Sequence, residues 1–259
     1  MHTYQLKPWS ECRALIVNDD GIDARGIKTL EDLARGLFAE VIIVAPAHEH
    51  SGMGHAISYK KNFKYKKIDD THYTVEGTPA DCAIVGINLV MKDNPPDIVL
   101  SGINHGDNAG NAILYSGTFG GALEAGLHGV PAIAFSQLRQ PDNSTDFFIS
   151  QKYFGQVMDF LQSVPWPNHV VMNVNFPPVD NHTHHTPHHV PSKTHHIVKG
   201  VEILLEEDGV HHIKSSLKSK YFESEDKHDL GHLSKGGVTI TPVNTNWTCH
   251  ETLRMWEEK

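Results

Sequence analysis

The sequence predicts an α/β protein built on a Rossmann-like, doubly wound, mainly parallel sheet with a C-terminal β-hairpin and helix extension. Three observations carry this. Short apolar runs stopped by turn residues alternate with segments whose apolar residues recur every three or four positions. The runs are continuously apolar, as in strands covered on both faces. The regular alternation weakens after Pro178.

Cys12 to Val17 reads as a buried strand, stopped by Asn18-Asp19-Asp20-Gly21. Ile27, Leu30, Leu33, Ala34, Leu37 and Phe38 place an apolar stripe on a helix over 25–38, and Val41 to Ala45, stopped by Pro46, is the next strand. Strand, helix and strand over this length make a βαβ unit with a right-handed crossover. Tyr59 to Ile68 is expected as one arm of a hairpin returning near Tyr73 to Glu76, with Tyr59, Phe63 and Tyr65 on one strand face. Its five lysines suit an exposed edge strand, where charge blocks edge-to-edge pairing; gripping a nucleic acid is the other use of such a composition. Thr78-Pro79-Ala80-Asp81 combines an N-cap Thr, a Pro at the first helical position and a first-turn acid, predicting a helix that ends near Met91. A second βαβ follows: Asp97 to Leu100 as strand, a polar Gly-rich stretch from Ser101 to Gly117, a helix over 118–128, and the strand Ala132 to Phe135. Phe148 to Leu161 has helical spacing, and Val170 to Phe176 is a further strand. In the extension, Ile197 to Leu205 and Val210 to Leu217 are the arms of a projecting hairpin, and Val238 to Pro242 rejoins the main body. Thr248 and Glu251 form a capping-box pair for a last helix carrying Leu253 and Trp256.

At 259 residues the chain reads as one unit, 1–259, with a core over about 10–178 and an extension over 179–259 that serves oligomerisation. Its 22 Lys and Arg against 31 Asp and Glu give a net charge of −9, which disfavours a polyanion-binding scaffold such as one for duplex nucleic acid. No apolar run approaches the roughly 20 residues of a membrane span, and the first residues lack the order of a signal peptide, so a cytoplasmic location is expected. Cys12, Cys82 and Cys249 are odd in number and widely spread, which argues against disulfides or a Cys-based zinc site. Seven histidines fall between His182 and His196 among prolines and threonines, a composition with no fixed ligand face; this segment should be dispensable for chemistry.

No Gly-Lys dipeptide, G-x-G-x-x-G, G-x-S-x-G or H-E-x-x-H occurs, which removes the P-loop, the dinucleotide fingerprint, the nucleophile elbow and the zinc-protease helix. Four oxygen-rich loops remain, each after a strand, where open α/β sheets bind ligands. They hold Asp19 and Asp20, Ser51 and Gly52, Ser101 through Asn111, and Tyr115 through Thr118. Adjacent carboxylates repel unless a cation or donors compensate; the other reading has one acid capping the following helix and the other facing water. Ser116-Gly117-Thr118 leads straight into a helix, whose first N–H groups and dipole favour a phosphate. Together the loops describe one crevice for a hard cation and an oxyanion. Carboxylates, an amide oxygen and a hydroxyl suit Mg²⁺ or Mn²⁺, while His48, His50, His55 and His105 keep zinc open.

At LIVNDDGIDARGI (Leu15 to Ile27), VAPAHEHSGMGHAIS (Val44 to Ser58), GTPADC (Gly77 to Cys82), Pro96 to Ser136, VMNVNFP (Val171 to Pro177) and GGVTITPVN (Gly236 to Asn244), the sequence resembles the SurE survival-protein phosphatases, a family of 5'/3'-nucleotidases. The resemblance implies that Asp19, Asp20, Ser51 and Asn104 bind a divalent metal and that Asn108, Ser116, Gly117 and Thr118 lie on the phosphate side. It also implies a homodimer or homotetramer with exchanged C-terminal elements. The chain departs from the family pattern at His48-Glu49-His50, in the His-rich segment, and over Leu217 to Lys235. The expected activity is a metal-dependent phosphomonoesterase acting on nucleoside 5'-monophosphates, with 3'-monophosphates and short polyphosphate as further substrates. One of the two aspartates would be the base, and His105 is the candidate proton donor because imidazole titrates near neutrality. The alternative is a stress-response module that holds a nucleotide or phosphate without turning it over.

Overall fold

The first strand lies in the middle of the sheet. The structure, a computed structural model, describes residues 2–140, 142–178, 188–189, 198–207, 210–218 and 227–258. In it, β1 (Arg13–Val17) leads through α1 (Arg25–Arg35) to β2 (Glu40–Pro46), parallel beside it with Leu15 opposite Ile42. A short edge hairpin follows, β3 (Tyr65–Lys67) antiparallel to β4 (His72–Val75), with β4 parallel to β2. After α2 (Pro79–Val85), β5 (Ile98–His105) enters on the other flank of β1, Leu15 opposite Val99. Next come α3 (Gly117–Leu127), β6 (Ala132–Gln137), α4 (Phe148–Ser163) and β7 (Val170–Phe176), each strand parallel to the one before. β8 (His188–His189), the hairpin β9 (Val198–Glu207) and β10 (Val210–Lys218), α5 (Asp229–Ser234), β11 (Thr239–Asn244) and α6 (His250–Glu257) complete the described residues.

Among those residues the main sheet has nine strands in the order β3-β4-β2-β1-β5-β6-β7-β11-β8, and β9 pairs only with β10. The direction of winding reverses at β1, so the loops after β1 and β5 part and open a crevice at the carboxyl edge. Strand alternation divides the core. Ala14 and Ile16 face a cluster with Leu30, Phe135, Phe154 and Trp166; Leu15 and Val17 face one with Cys82, Val85, Phe119 and Leu123. Helices cover both faces, which is why these strands read as unbroken apolar runs. No helix among the described residues is long and apolar enough to cross a membrane.

Most element positions agree with the sequence reading, and the departures have local causes. The cap of α2 forms in full: Thr78 Oγ1 accepts from the Asp81 N–H at 3.2 Å, and Asp81 Oδ2 accepts from the Thr78 N–H at 2.9 Å. A π-helical turn, Gly86–Val90, then carries the chain to Met91. The 59–68 strand is a correction: only Tyr65–Lys67 pairs, at the sheet's outer edge, and Tyr59 and Phe63 lie outside it. Its lysines therefore sit where an edge needs charge. The capping box at the last helix is a second correction. Cys249, not Thr248, is the N-cap, and its side chain makes no capping bond to the backbone of the first turn. α6 buries none of its residues, and Trp247 and Trp256 are exposed. α5 was not anticipated, because six residues are too few to show a period. The His-rich stretch 182–196 lies outside the described residues except for β8.

Candidate active site

Everything at the site is set from the end of β1. Asn18, buried, donates from Nδ2 to the Gly21 carbonyl at 2.8 Å, closing a tight turn that holds Asp19 and Asp20 at the strand's carboxyl end. Asp19 is only 4% exposed; its Oδ1 accepts from Thr118 Oγ1 at 2.6 Å, and its carbonyl accepts from the His50 N–H at 2.8 Å. Helix α3 comes so close that a Cβ on Gly117 would stand 2.8 Å from Asp19 Cβ, a distance only glycine permits. Burial, and after it the charge of Asp20, push the Asp19 carboxyl up to about 7. Burial also raises Asp20; the ring and backbone N–H of His105 pull it back, while Glu49 adds to the rise. Asp20 Oδ2 is buried and accepts no hydrogen bond. Neither aspartate caps α1, whose N-cap is Ala24 with no side-chain bond.

β5 supplies the facing wall. It runs five residues past Leu100 because pairing with β6 resumes after a register shift, Asn104 opposite Ser136 and His105 opposite Gln137. Gly102 makes this possible: its φ is +134°, and a Cβ there would meet the Phe135 carbonyl oxygen at 2.4 Å. Asn104 donates from Nδ2 to the Gly106 carbonyl at 2.8 Å, which leaves its Oδ1 for a ligand. The next turn is strapped down by three buried polar side chains. Asn175 Oδ1 accepts the Asn108 N–H at 2.7 Å, Asn173 donates to the Asn108 carbonyl at 2.8 Å, and Asn108 Nδ2 donates to Ser136 Oγ at 2.8 Å. Asp229 of α5 accepts the Gly110 N–H at 2.7 Å, and Leu230 and Leu233 pack on Ala109. These loops enclose a cavity of about 250 Å³ lined by Asp19, Asp20, Ser51, Asn104, Asn108 and Ser116, among others.

The model of the family described as "Survival protein SurE" matches residues 14–198. The chain belongs to the SurE family. It is 36% identical to the 5'-nucleotidase SurE of Roseobacter denitrificans, an alignment covering 93% of this chain and 97% of that one. It is 47% identical over 178 residues to the 5'-nucleotidase SurE of Ruegeria pomeroyi, covering 64% and 68%. The SurE crystal structure from Aquifex aeolicus superposes with a TM-score of 0.81 at 30% identity, covering 95% of this chain and all of that one.

Within this SurE fold, six of the residues singled out from the sequence line the one cavity, and so does His105. His105 packs edge-on against Phe147, and burial lowers its tendency to protonate; its Nε2 is buried and unpartnered. Ser51 Oγ donates to Glu49 Oε1 at 2.6 Å, so its proton is engaged while its lone pairs are not. Gly117 and Thr118 stand behind the wall. Thr118 is fully buried, and its hydroxyl serves Asp19, not an anion in the cavity. Ser116 is the N-cap of α3, its Oγ accepting from the Phe119 N–H at 2.9 Å. Sequence reasoning missed the roles of Arg139, Asp107 and Asn18. Arg139 was within reach: it lies in the loop after β6, a strand end like those that carry the other donors.

The Ser51 loop is tied down from α2 and α3. Asp81 accepts from the Ser58 N–H and hydroxyl at 2.9 and 2.7 Å, Thr78 Oγ1 donates to the Ala56 carbonyl at 2.6 Å, and His55 Nε2 lies 2.6 Å from Glu124 Oε2. Glu124 also meets His128 at 3.2 Å, and the hydrogen bond to His55 is the largest cause of its lowered pKa. A carboxylate with a depressed folded pKa contributes stability above its ordinary value, and that contribution is lost as pH falls through the lower one. Glu124→Gln should therefore flatten the fall in Tm as pH is taken below about 4.5, the ordinary Glu value. Parallel Tm curves for the two proteins across that range would show the pair to be idle.

Proposed function

We propose that this chain is a divalent-metal-dependent nucleotidase that hydrolyses nucleoside 5'-monophosphates to nucleoside and phosphate. It is an enzyme of the class of its relatives, which are named 5'-nucleotidase over nearly the full length of the chain. The observation that carries the metal is the pair Asp19 and Asp20: two neighbouring carboxylates, each pushed toward protonation, one with a buried oxygen that no protein donor reaches. A hard cation removes this conflict. The surrounding donors are oxygens, so the set of Asp19, Asp20, Ser51 and Asn104 fits Mg²⁺ or Mn²⁺. A divalent ion held by these residues would supply Lewis-acid polarisation of a phosphoryl oxygen.

The chain's own residues do the rest. Thr118 fixes the Asp19 carboxylate, and one of the two aspartates takes the proton of the attacking water. Ser116, at the start of α3, and the second N–H of Asn108 hold phosphoryl oxygens as charge builds on them. His105 is the candidate donor to the departing alkoxide. Phosphate release from 5'- and 3'-nucleotides, sugar phosphates and short polyphosphate, with Mn²⁺ and with chelator, tests the reading. Chelator-insensitive release, or none from any 5'-nucleotide, overturns it.

A homodimer or homotetramer completes the proposal. α6 and the residues before it expose Trp247, Met255 and Trp256, an apolar face of the kind a partner copy covers. A monomeric mass in solution at micromolar concentration would refute this.

A further inference from the structure

The cavity has a charge problem that the proposed metal does not solve. Asp19, Asp20 and Asp107 line it, and a phosphomonoester brings about two more negative charges near neutrality. Of the residues that line it, Arg139 alone is permanently cationic. Arg139 comes from the loop after β6 and is anchored by its Nε, which donates to the His105 carbonyl at 2.9 Å. One terminal nitrogen touches Asn143 Oδ1 only at 3.4 Å, so the fork of the guanidinium is weakly engaged. It rests over Gly106, whose φ is +131°; a Cβ there would stand 3.5 Å from Arg139 Nε and 3.9 Å from Asn104 Nδ2. The backbone thus carries no side chain where Arg139 and Asn104 approach each other. A planar fork tethered at one nitrogen and weakly held at the others is the geometry that takes two phosphate oxygens at once.

We infer that Arg139 is a phosphate-binding residue of this site, its guanidinium taking phosphoryl oxygens from the β6 side of the cleft. The inference rests on the nucleotidase reading for its substrate. Arg139 is exposed and its one firm anchor is a backbone carbonyl, so replacing it leaves the core intact. A residue that merely propped the strand carrying Asn104 would lower metal affinity when removed. A phosphate-binding cation beside Asp20 does the opposite, since its loss leaves the carboxylates more negative for the metal.

The test uses Arg139→Gln and Arg139→Lys in the full chain. Mn²⁺ is titrated into each protein by calorimetry, inorganic phosphate is then titrated into the Mn²⁺-loaded protein, and kinetics are measured with AMP and p-nitrophenyl phosphate. For Arg139→Gln, phosphate affinity should fall and KM rise about 10- to 100-fold with both esters, the range expected for lost charge-assisted hydrogen bonds. Mn²⁺ affinity should hold or increase, and Arg139→Lys should recover part of the loss as a point charge. Weaker Mn²⁺ binding would make Arg139 a structural prop. A loss confined to AMP would make it a reader of the nucleoside, and changes within twofold throughout would leave it no role. Arginine-dependent phosphate binding without turnover by the wild-type protein would sink the nucleotidase reading while upholding this one.

Discussion

Asp19→Asn and Asp20→Asn should each lower phosphate release by roughly 10²- to 10⁴-fold, the range supplied by a general base together with a metal ligand. The substitution keeps the size and one ligand oxygen, and an amide oxygen at position 19 could still accept from Thr118 Oγ1, so the loop after β1 keeps its shape. What it removes is one of two neighbouring carboxylate charges, one of them almost fully buried. Without metal that removal relieves a repulsion, and the variants should melt no lower than the wild type. With Mn²⁺ the order reverses: the rise in Tm that the ion gives the wild type, set by the ratio of its concentration to Kd, should shrink in both variants. A non-catalytic phosphate holder predicts another pattern, because losing a carboxylate beside an anion tightens nucleotide binding. Equal, chelator-insensitive turnover in wild type and variants would eliminate the metal site.

Gly120→Ala should damage both stability and activity, although it adds one methyl group to a helix. A Cβ at Gly120 would stand 2.4 Å from the Gly54 carbonyl oxygen and 3.2 Å from His55 Cα, both backbone atoms of the loop that carries Ser51. That loop cannot step aside cheaply. The Gly54 N–H bonds the Tyr115 carbonyl at 3.0 Å, and the ties from Thr78, Asp81 and Glu124 hold the residues after it. The expected cost is about 1–3 kcal/mol, or a Tm lower by several degrees, with activity falling further as Ser51 is displaced. Gly155→Ala in α4 is the control of opposite sign. Nothing lies within 4 Å of its Cβ, so the helix should gain roughly 0.5–1 kcal/mol without a change in turnover. A neutral Gly120→Ala would mean that the loop tolerates more movement than its hydrogen bonds imply.

The two glycines look alike in the sequence, since each directly follows a Phe inside a helix. Their difference lies in which backbone stands opposite, and no local pattern encodes that. The same holds for Asp229, an acid in a stretch with no periodicity, whose carboxylate nonetheless holds Gly110 at the edge of the cavity. Thr118 shows the limit from another side: its place beside a helix start suggested an anion contact, and packing turned its hydroxyl toward Asp19.

By itself the sequence determined the alternation of strands and helices, the two-sided covering of the sheet, the cap of α2 and the loops that bear oxygen donors. These follow from short-range effects: apolar periodicity, Pro and Gly punctuation, and side chains that bond their own backbone a few residues away. Tertiary structure decided that β5 returns to the flank of β1, which gives the crevice expected from the loops its actual walls, with residues 19, 51, 104 and 116 lining one cavity. It also decided that Arg139 is the cation sharing that cavity with three aspartates, and that α6 buries none of its residues on the described fold. Those are matters of burial and of charge between residues far apart along the chain. They exist only once the sheet has brought the ends of its strands together.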